Sequence, residues 1–289
     1  MNNLLKNVIL LPFNLLYKIS PEWDLKILFF LKQHYALDLK NPKTYNEKLQ
    51  WIKLYEKNPL MTKCCDKYAV REYVKQQGCE DILNHLIWQG FNPEEIPFSE
   101  LPKKYVIKVT HGSTFNIIQN GELQITQNEI ISRCRKWLKA KFLPCYGEWF
   151  YGVERPRVIV EDFIESADDT QLRDYKVFCF NGHPKMIRVD TDRFTNHKMD
   201  FFDCKWNRIN NAGMGYEISG RAIEKPICIN QVLDYAAKLS APFKHARVDF
   251  YIVKDKIYFG EITFTNGAGF DRFASYDFDI MVGNWLNLD

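Results

Sequence analysis

Apolar runs broken by short polar turns pattern the second half of the chain and predict strands. Two runs rich in β-branched and aromatic residues, from Arg247 and from Ile257, flank Lys254-Asp255-Lys256, which reads as a short hairpin loop. With those three residues as the loop, Val253 pairs with Ile257. Counting outward then sets Asp249 opposite Glu261 and Arg247 opposite Thr263, all on one face. Asp174 to Phe180 alternates, and Asn181-Gly182 is a strong turn signal before Lys185 to Val189. Further upstream, Tyr105 to Thr110 reads as a strand with Lys108 in its middle. His111 to Asn116 follows as a polar loop, and Ile117 to Gln119 resumes the strand. Val158 to Val160 is an apolar strand that ends in Glu161-Asp162-Phe163-Ile164-Glu165, with an acidic loop to Asp169.

Helical patterning fills the rest. The uncharged run from Asn7 to Tyr17, interrupted by Pro12, falls short of the ~20 apolar residues that cross a bilayer. A helix packed on the body is the expected form, with a membrane-surface helix as the alternative. Trp23 to Leu37 continues the pattern. Thr44 and Glu47 have capping-box spacing before Leu49 and Ile52. Asp66 to Gln77 reads as a short helix that Gly78 terminates, Glu129 to Phe142 as a surface helix, and Asn230 to Ser240 as another. The aromatic cluster Tyr146 to Tyr151 reads as core or lobe-interface packing.

Composition narrows the class. A chain of 289 residues, 46% hydrophobic and 26% charged, forms one large globular domain or two lobes. A net charge of +3 is too weak to point to nucleic acid. Eight cysteines without a CxxC pair argue for free thiols, Cys64-Cys65 among them, in a reducing compartment such as the cytoplasm.

The polar residues stranded in these patterns suggest chemistry. Like charges opposed across a hairpin destabilise it, and an unpaired carboxylate is costly to bury. A hard, oxygen-ligated ion such as Mg²⁺ between Asp249 and Glu261 removes both problems, with Arg247 able to reach a phosphate on that metal; a solvated hairpin face is the alternative. Lys108 beside a small-residue loop suits phosphate binding, or is an ordinary lysine on a strand edge. The Glu161 to Glu165 stretch offers backbone groups to an adenine and a carboxylate to a ribose, or is a plain strand end. Lys176, sharing a face with Phe178 and Phe180, either snorkels or serves a ligand. Asp190 to His197 gathers Asp190, Asp192, Arg193 and His197, as a substrate loop or a solvated connection. Asn266-Gly267-Ala268-Gly269 forms a backbone-permissive turn.

In order, these pieces resemble the ATP-grasp superfamily. More narrowly, DKYAVREYV, KVTHGS, DYKVFCFNG, VDTDRFTNHK and RVDFY…KIYFGEITF are similar to the TupA-like ATP-grasp family of teichuronopeptide and surface-polysaccharide biosynthesis, from about Asn41 to the C-terminus. The resemblance implies an α+β fold in which two lobes with antiparallel sheets sandwich ATP. A helical segment over 1–60 would precede an ATP-grasp domain over 61–289, with lobes at about 66–165 and 166–289. Lys108 and Lys176 would reach ATP phosphates under a loop holding His111, Gly112, Ser113 and Asn116. Glu161, Asp162, Phe163 and Ile164 would form the adenine hinge, with Glu165 toward the ribose. Arg247 would sit near the transferred phosphate, and Asp249 and Glu261 would hold Mg²⁺. Thr263 stands where many relatives place a metal-binding asparagine, with Asn266 as its substitute. The loop is also glycine-poor for the superfamily.

The implied reaction activates a carboxylate as an acylphosphate, which an amine then captures. The partners would be a sugar acid of a glycan or its precursor and an amino acid or similar amine. Asp190, Asp192, Arg193, His197, Asn266 and Gly267 are the candidates for gripping the acceptor. A kinase on the same fold, a glycosyltransferase using Asp190 and Asp192, and a non-catalytic scaffold are the rivals. The location expected from the cysteine usage is the cytoplasm, with the inner face of the cell membrane as the alternative.

Overall fold

The computed structural model describes residues 3–121, 125–166, 172–192, 195–210 and 212–289. Two antiparallel sheets organise them. Strands β1 (Leu86–Gly90), β2 (Lys104–Val109), β3 (Asn116–Asn120) and β4 (Val158–Asp162) form the smaller sheet, in the order β1-β4-β2-β3. The larger sheet comprises β5 (Asp174–Phe180), β6 (His183–Thr191), β7 (Lys198–Asp203), β8 (His245–Val253) and β9 (Lys256–Thr263), in the order β7-β6-β5-β8-β9. Every residue of central β5 is buried, because it is paired on both edges and covered on both faces.

The β8–β9 hairpin differs from the expected count in an instructive way. Its turn is only Lys254-Asp255, both left-handed (φ 47° and 64°), so Val253 pairs with Lys256 and Ile252 with Ile257. Further in, between Phe250 and Asp249, a bulge absorbs the discrepancy: Phe250 faces Phe259, yet Asp249 faces Glu261 and Arg247 faces Thr263. The extra residue is Gly260, where an added Cβ would lie 2.9 Å from the Asp249 carbonyl oxygen. The expected carboxylate pair therefore forms through a shorter turn and a compensating bulge. The β5–β6 turn uses Asn181 and Gly182 (φ 50° and 79°), as its sequence predicts.

Eight α-helices pack around the sheets among the described residues. Helix α1 (Asn3–Ile19) runs through Pro12, and α2 (Pro21–Gln33) starts at a Ser20 cap. Helix α3 (Tyr45–Tyr55) begins at the predicted capping box: the Glu47 N–H donates to Thr44 Oγ1 at 3.1 Å, and the Thr44 N–H to Glu47 Oε2 at 3.0 Å. After α4 (Leu60–Cys64), the Asp66 carboxylate accepts from the N–H groups of Tyr68 and Ala69, so α5 (Ala69–Gln76) starts three residues later than expected. Helix α6 (Gln127–Leu138) is shifted towards its own Thr126 capping box. Helices α7 (Ile229–Ser240) and α8 (Tyr276–Gly283) complete the set. No helix among the described residues is long and apolar enough to cross a membrane.

The larger core gathers β5, β6, β8 and β9 with α3, α5 and α7. Helix α5, expected with the first lobe, buries Val70, Tyr73 and Val74 in this core. A second core lies under the smaller sheet, and a third joins α1 and α2 to Cys145 and Phe270. The aromatic cluster is core: Phe150 is buried against Phe264. All eight cysteines are free thiols.

Helix α8 meets the start of α3 at Gly283, where a Cβ would lie 2.2 Å from the Lys43 carbonyl oxygen and 2.8 Å from Tyr45 N. Both neighbours are backbone and cannot rotate away. Gly283→Ala should therefore destabilise the fold by about 1–3 kcal/mol through overpacking. Urea unfolding would show it as a lower midpoint at unchanged slope; an unchanged midpoint would mean that the helices slide apart freely.

Candidate active site

One face of the larger sheet carries an ordered set of buried charges. Strand β5 supplies Asp174 and Lys176, β6 supplies Arg188 and Asp190, and β8 supplies Arg247 and Asp249; all six are buried. Each pair is spaced i, i+2, and the register sets Lys176 opposite both Arg188 and Asp249, so all six point to one side. Lys176 Nζ lies 2.6 Å from Asp249 Oδ2 and 3.9 Å from both Asp174 and Asp190. Arg247 donates to Asp249 in bidentate fashion (Nε 2.7 Å, Nη2 2.8 Å), to Thr263 Oγ1 at 3.0 Å, and through Nη1 to Asn266 Oδ1. Burial works to raise the Asp249 pKa, but Arg247 and Lys176 outweigh it and hold the carboxyl at about 2. Burial likewise works against the Arg247 charge, and Asp249 more than reverses that.

A second set of charges faces this one from the smaller sheet and α5. Lys108 Nζ donates to Glu161 Oε2 at 2.7 Å, and Arg71 Nη1 to Glu161 Oε1 at 2.9 Å. Arg71 also donates to the Asn84 carbonyl at 2.7 Å. Lys67 links the two sets: its Nζ donates to the Gly112 carbonyl at 2.8 Å and lies 3.7 Å from Glu261 Oε2. The side chains of Lys67, Arg71, Lys108, Glu161, Ile164, Tyr251 and Phe259 line a narrow slot with Gly260. Next to it opens a cavity of about 960 Å³, bounded by Leu86, the stretch from Asp162 to Ser166, Lys254 and Tyr258.

The remaining predicted residues divide. Asp162, Phe163, Ile164 and Glu165 line the large cavity, although the Glu165 carboxylate is paired with Lys104 at 2.5 Å. The Glu161 side chain turns from a hinge role to ion pairing. His111 faces away from the slot: its Nε2 donates to the Ala140 carbonyl at 2.9 Å, and its ring packs on Phe115 and Phe142. Gly112 has a steric reason, since a Cβ there would overlap the Phe115 ring at 2.0 Å. Ser113 is exposed, and Asn116 opens β3 opposite Lys108.

The expected Asp190 to His197 loop starts later than the sequence suggests, because Asp190 and Thr191 still belong to β6. Asp190 is buried at the end of β6, 2.9 Å from Arg188 Nε and 3.6 Å from His197 Nε2. Asp192 instead pairs with Arg221 at 2.7 Å, so Asp190 and Asp192 do not share a metal-binding geometry. Arg193 lies outside the described residues. A cavity of about 540 Å³ brings His197 together with Lys198, Met214, Tyr216, Arg272 and Phe273. Met214 joins this cavity to the charged face, with Sδ 2.8 Å from Asn266 Nδ2 and 3.7 Å from Arg188. Gly267 adopts φ 53°, and a Cβ would collide with the Asp271 carboxylate.

Lys67, Arg71 and Arg188 escaped the sequence reading. The first two lie in DKYAVREYV, four residues apart at the entry to α5, where both side chains leave one side of the helix start. Arg188 stands two residues from Asp190, as Arg247 stands two from Asp249, and that repeat was the available signal.

Asp249 and Glu261 are the oxygen donors available to a divalent ion. Among the described residues, no group of three or more His, Cys, Asp or Glu side chains converges for a metal. The donor chemistry suits Mg²⁺: two opposed carboxylates, with the Asn266 amide oxygen on the same guanidinium. Thr263 Oγ1 is engaged by Arg247. Glu261, its side chain 41% exposed, is the more open carboxylate, whereas both oxygens of Asp249 are already bonded to Arg247 or Lys176.

Two antiparallel sheets with a cation-lined slot between them define an α+β protein with a site for an anionic ligand. The chain belongs to the TupA-like ATP-grasp family, whose model matches residues 47–287. Its cofactors are accordingly ATP and Mg²⁺. Among solved structures, the chain is similar to D-alanine–D-alanine ligase from Bacillus anthracis, at 18% identity over 70% of this chain and 57% of that one (TM-score 0.42). It is also similar to the L-amino acid ligase from Bacillus licheniformis, at 12% identity over 87% and 56% (TM-score 0.48). A third likeness is to D-alanine–D-alanine ligase from Helicobacter pylori, at 12% identity over 78% and 61% (TM-score 0.44). The chain thus spans between 56% and 61% of these structures' lengths. No curated protein matches it.

Beneath Arg247 lies a group that reports on the packing. His245 Nδ1–H donates to the Phe264 carbonyl at 2.7 Å, which leaves Nε2 to accept from Tyr45 Oη–H at 3.0 Å. Burial lowers its pKa from 6.5 to about 4. The unfolded chain therefore binds the extra proton, and stability falls as pH drops through that window, by up to about 3 kcal/mol. Asp24 and Asp279, raised by burial to about 7 and about 6, act with the opposite sign. The difference between wild type and His245→Gln isolates the histidine: unfolding midpoints should converge as pH falls from 6.5 to 4.5. A pH-independent difference would mean that His245 is not held neutral.

Proposed function

We propose that this chain is an ATP- and Mg²⁺-dependent carboxylate–amine ligase that joins an amino acid or similar amine to a sugar acid of a surface polysaccharide or its precursor. The observation that carries the reading is the Lys67 bridge between the Gly112 loop and Glu261, in a slot walled by both sheets. Family membership supports nucleotide use, and the Asp162 to Ser166 cavity has room for a nucleoside. In this reading the two sheets act as lobes on either side of ATP.

The chain's own residues supply charge and position. Lys67, Arg71, Lys108, Lys176 and Arg247 each rest on a protein carboxylate, so a triphosphate exchanges one anionic partner for another rather than meeting bare, desolvated cations. Asp249 and Glu261, with Asn266 beside them, would hold Mg²⁺, which supplies charge neutralisation on the phosphates. The acceptor carboxylate oxygen takes the γ-phosphoryl group as the bond to ADP breaks. The amine nitrogen then displaces phosphate, losing a proton, and an amide remains. Preorganised electrostatics and positioning serve both steps.

The cavity by Met214 fits the acceptor. Arg272 and His197 favour a carboxylate, Lys198 would do so in exchange for its present partner Glu217, and Tyr216 and Phe273 offer ring faces to a sugar. Asp190 reaches this cavity through His197 and Asn266 through Met214. A glycan or lipid-linked precursor at the inner face of the cell membrane is the setting this reading implies.

Turnover of Mg²⁺-ATP with a panel of uronic acids or their glycans plus amino acids tests the proposal, following ADP and phosphate together. Equal ADP and phosphate, dependent on both acceptors and accompanied by an amide mass, is the expected result. ADP without free phosphate, with a phosphorylated sugar, would replace the ligase by a kinase.

Two substitutions bear on the roles. Glu261→Gln should lower turnover by about 10²-fold or more without unfolding the chain, as loss of a charge-stabilising group does. Lys67→Met should raise the KM for ATP and lower kcat/KM. Full turnover in Glu261→Gln would remove the metal assignment, and an unchanged KM in Lys67→Met would reduce Lys67 to a structural bridge.

A further inference from the structure

The first two helices keep an apolar surface that the fold leaves uncovered. On α2 the inner face, with Leu25, Leu28 and Phe29, is buried in the third core. Trp23, Ile27, Phe30 and Leu31 are all exposed, and their i, i+4, i+7, i+8 spacing makes one continuous stripe along the other side of the helix. On α1, Leu11, Leu15 and Ile19 repeat every fourth residue and are exposed as well. The two stripes approach at the helix junction, where Ile19 is 82% and Trp23 62% exposed. Single exposed apolar residues are ordinary, but two helical stripes joined end to end are a surface built for a partner.

Charge identifies the partner. Asp24 is buried, so the exposed acid of these helices is Glu22, and Lys26 neutralises it at 2.6 Å. Lys18, Lys32 and Arg272 remain exposed, with Arg272 held against the end of α2 through the Lys32 carbonyl at 2.8 Å. Leucine, isoleucine, phenylalanine and tryptophan bordered by lysine and arginine are the composition of a helix lying in a bilayer interface. Neither helix is long and apolar enough to span, which fits lying on a bilayer.

We propose that the outer face of α1 and α2 seats on an anionic lipid bilayer, with Ile19 and Trp23 at the centre of the contact and Lys18, Lys32 and Arg272 meeting the headgroups. This deepens the membrane setting proposed for the ligase, where a lipid-linked acceptor would be presented, but the surface stands on its own residues.

Sedimentation of the full chain with vesicles tests it, using phosphatidylcholine alone and with about a third phosphatidylglycerol, at low and high salt. The expected result is binding to the mixed vesicles, weakened by salt and reduced about ten-fold or more in Ile19→Glu/Phe30→Glu. Both positions are exposed, and an unchanged unfolding midpoint confirms that the double variant folds. Equal binding to both vesicle types would overturn the anionic assignment. Equal sedimentation of wild type and double variant would overturn the surface. So would a wild-type dimer in light scattering that ignores vesicles and that the double variant disperses. Glu261→Gln should still bind vesicles, so a failed ligase reading and a failed membrane reading give different results.

Discussion

The larger sheet is organised around the mutual neutralisation of charges on its inward face. Three neighbouring strands each bring one cation and one carboxylate at i, i+2: Asp174 and Lys176, Arg188 and Asp190, Arg247 and Asp249. No member could be buried alone, since an uncompensated charge in this interior costs several kcal/mol. Together they fix the register of β5, β6 and β8 as strictly as the apolar face behind them, because a one-residue slip would bury six charges without partners. The same interlocking makes the face suitable for a highly charged ligand. Its cations are desolvated and positioned before anything binds, and their present partners are carboxylates that a metal or a water can satisfy instead.

The N-terminal segment is tied into this arrangement through a buried polar stripe on α3. Asn46, Gln50 and Lys53, at i, i+4 and i+7, are fully buried and donate to backbone carbonyls of one turn: Asn46 to Asp271 at 2.9 Å, Gln50 to Gly269 at 2.7 Å, and Lys53 to Ala268 at 2.7 Å. That turn contains left-handed Gly267 and Ala268, a conformation that Ala268 adopts at a steric cost. The stripe meets that cost, and the turn in return sets Asn266 against Arg247. Little solvent reaches this clamp, and that burial pushes the Lys53 pKa below the usual lysine range.

Much of this was legible in the sequence, and the failures have physical causes. Alternation located β5, the Asn181-Gly182 turn located β6, and β-branched and aromatic runs located β8 and β9; the Asp249–Glu261 opposition was read correctly although the loop was counted one residue too long. Periodicity cannot see a bulge; the missing cue was Gly260, whose backbone permissiveness lets the strand take up one residue. Asp190 was placed in a loop because Asp-Thr-Asp reads as polar punctuation, yet Lys176 and Arg188 neutralise it inside a strand. Lys67 and Arg71 were missed because a helix start rich in charge looks solvated; only the tertiary fold shows that it points into a slot.

The slot itself is the last consequence of the same electrostatics. Glu161 stands between Lys108 and Arg71 on one wall, and Lys67 spans from the Gly112 loop to Glu261, so an ion pair crosses the space between the sheets. An opening lined only by cations would be held apart by repulsion. One closed by alternating signs can stay narrow and dry. A polyanion entering such a slot must displace the carboxylates from the cations, which favours ligands that bring compensating positive charge with them. A metal-bound triphosphate would do so in the proposed reading: Glu261 would help hold the metal and Lys67 would meet phosphate. Free polyanions of similar size would lack that exchange, and selectivity for the metal complex would follow from the pairing already present in the protein.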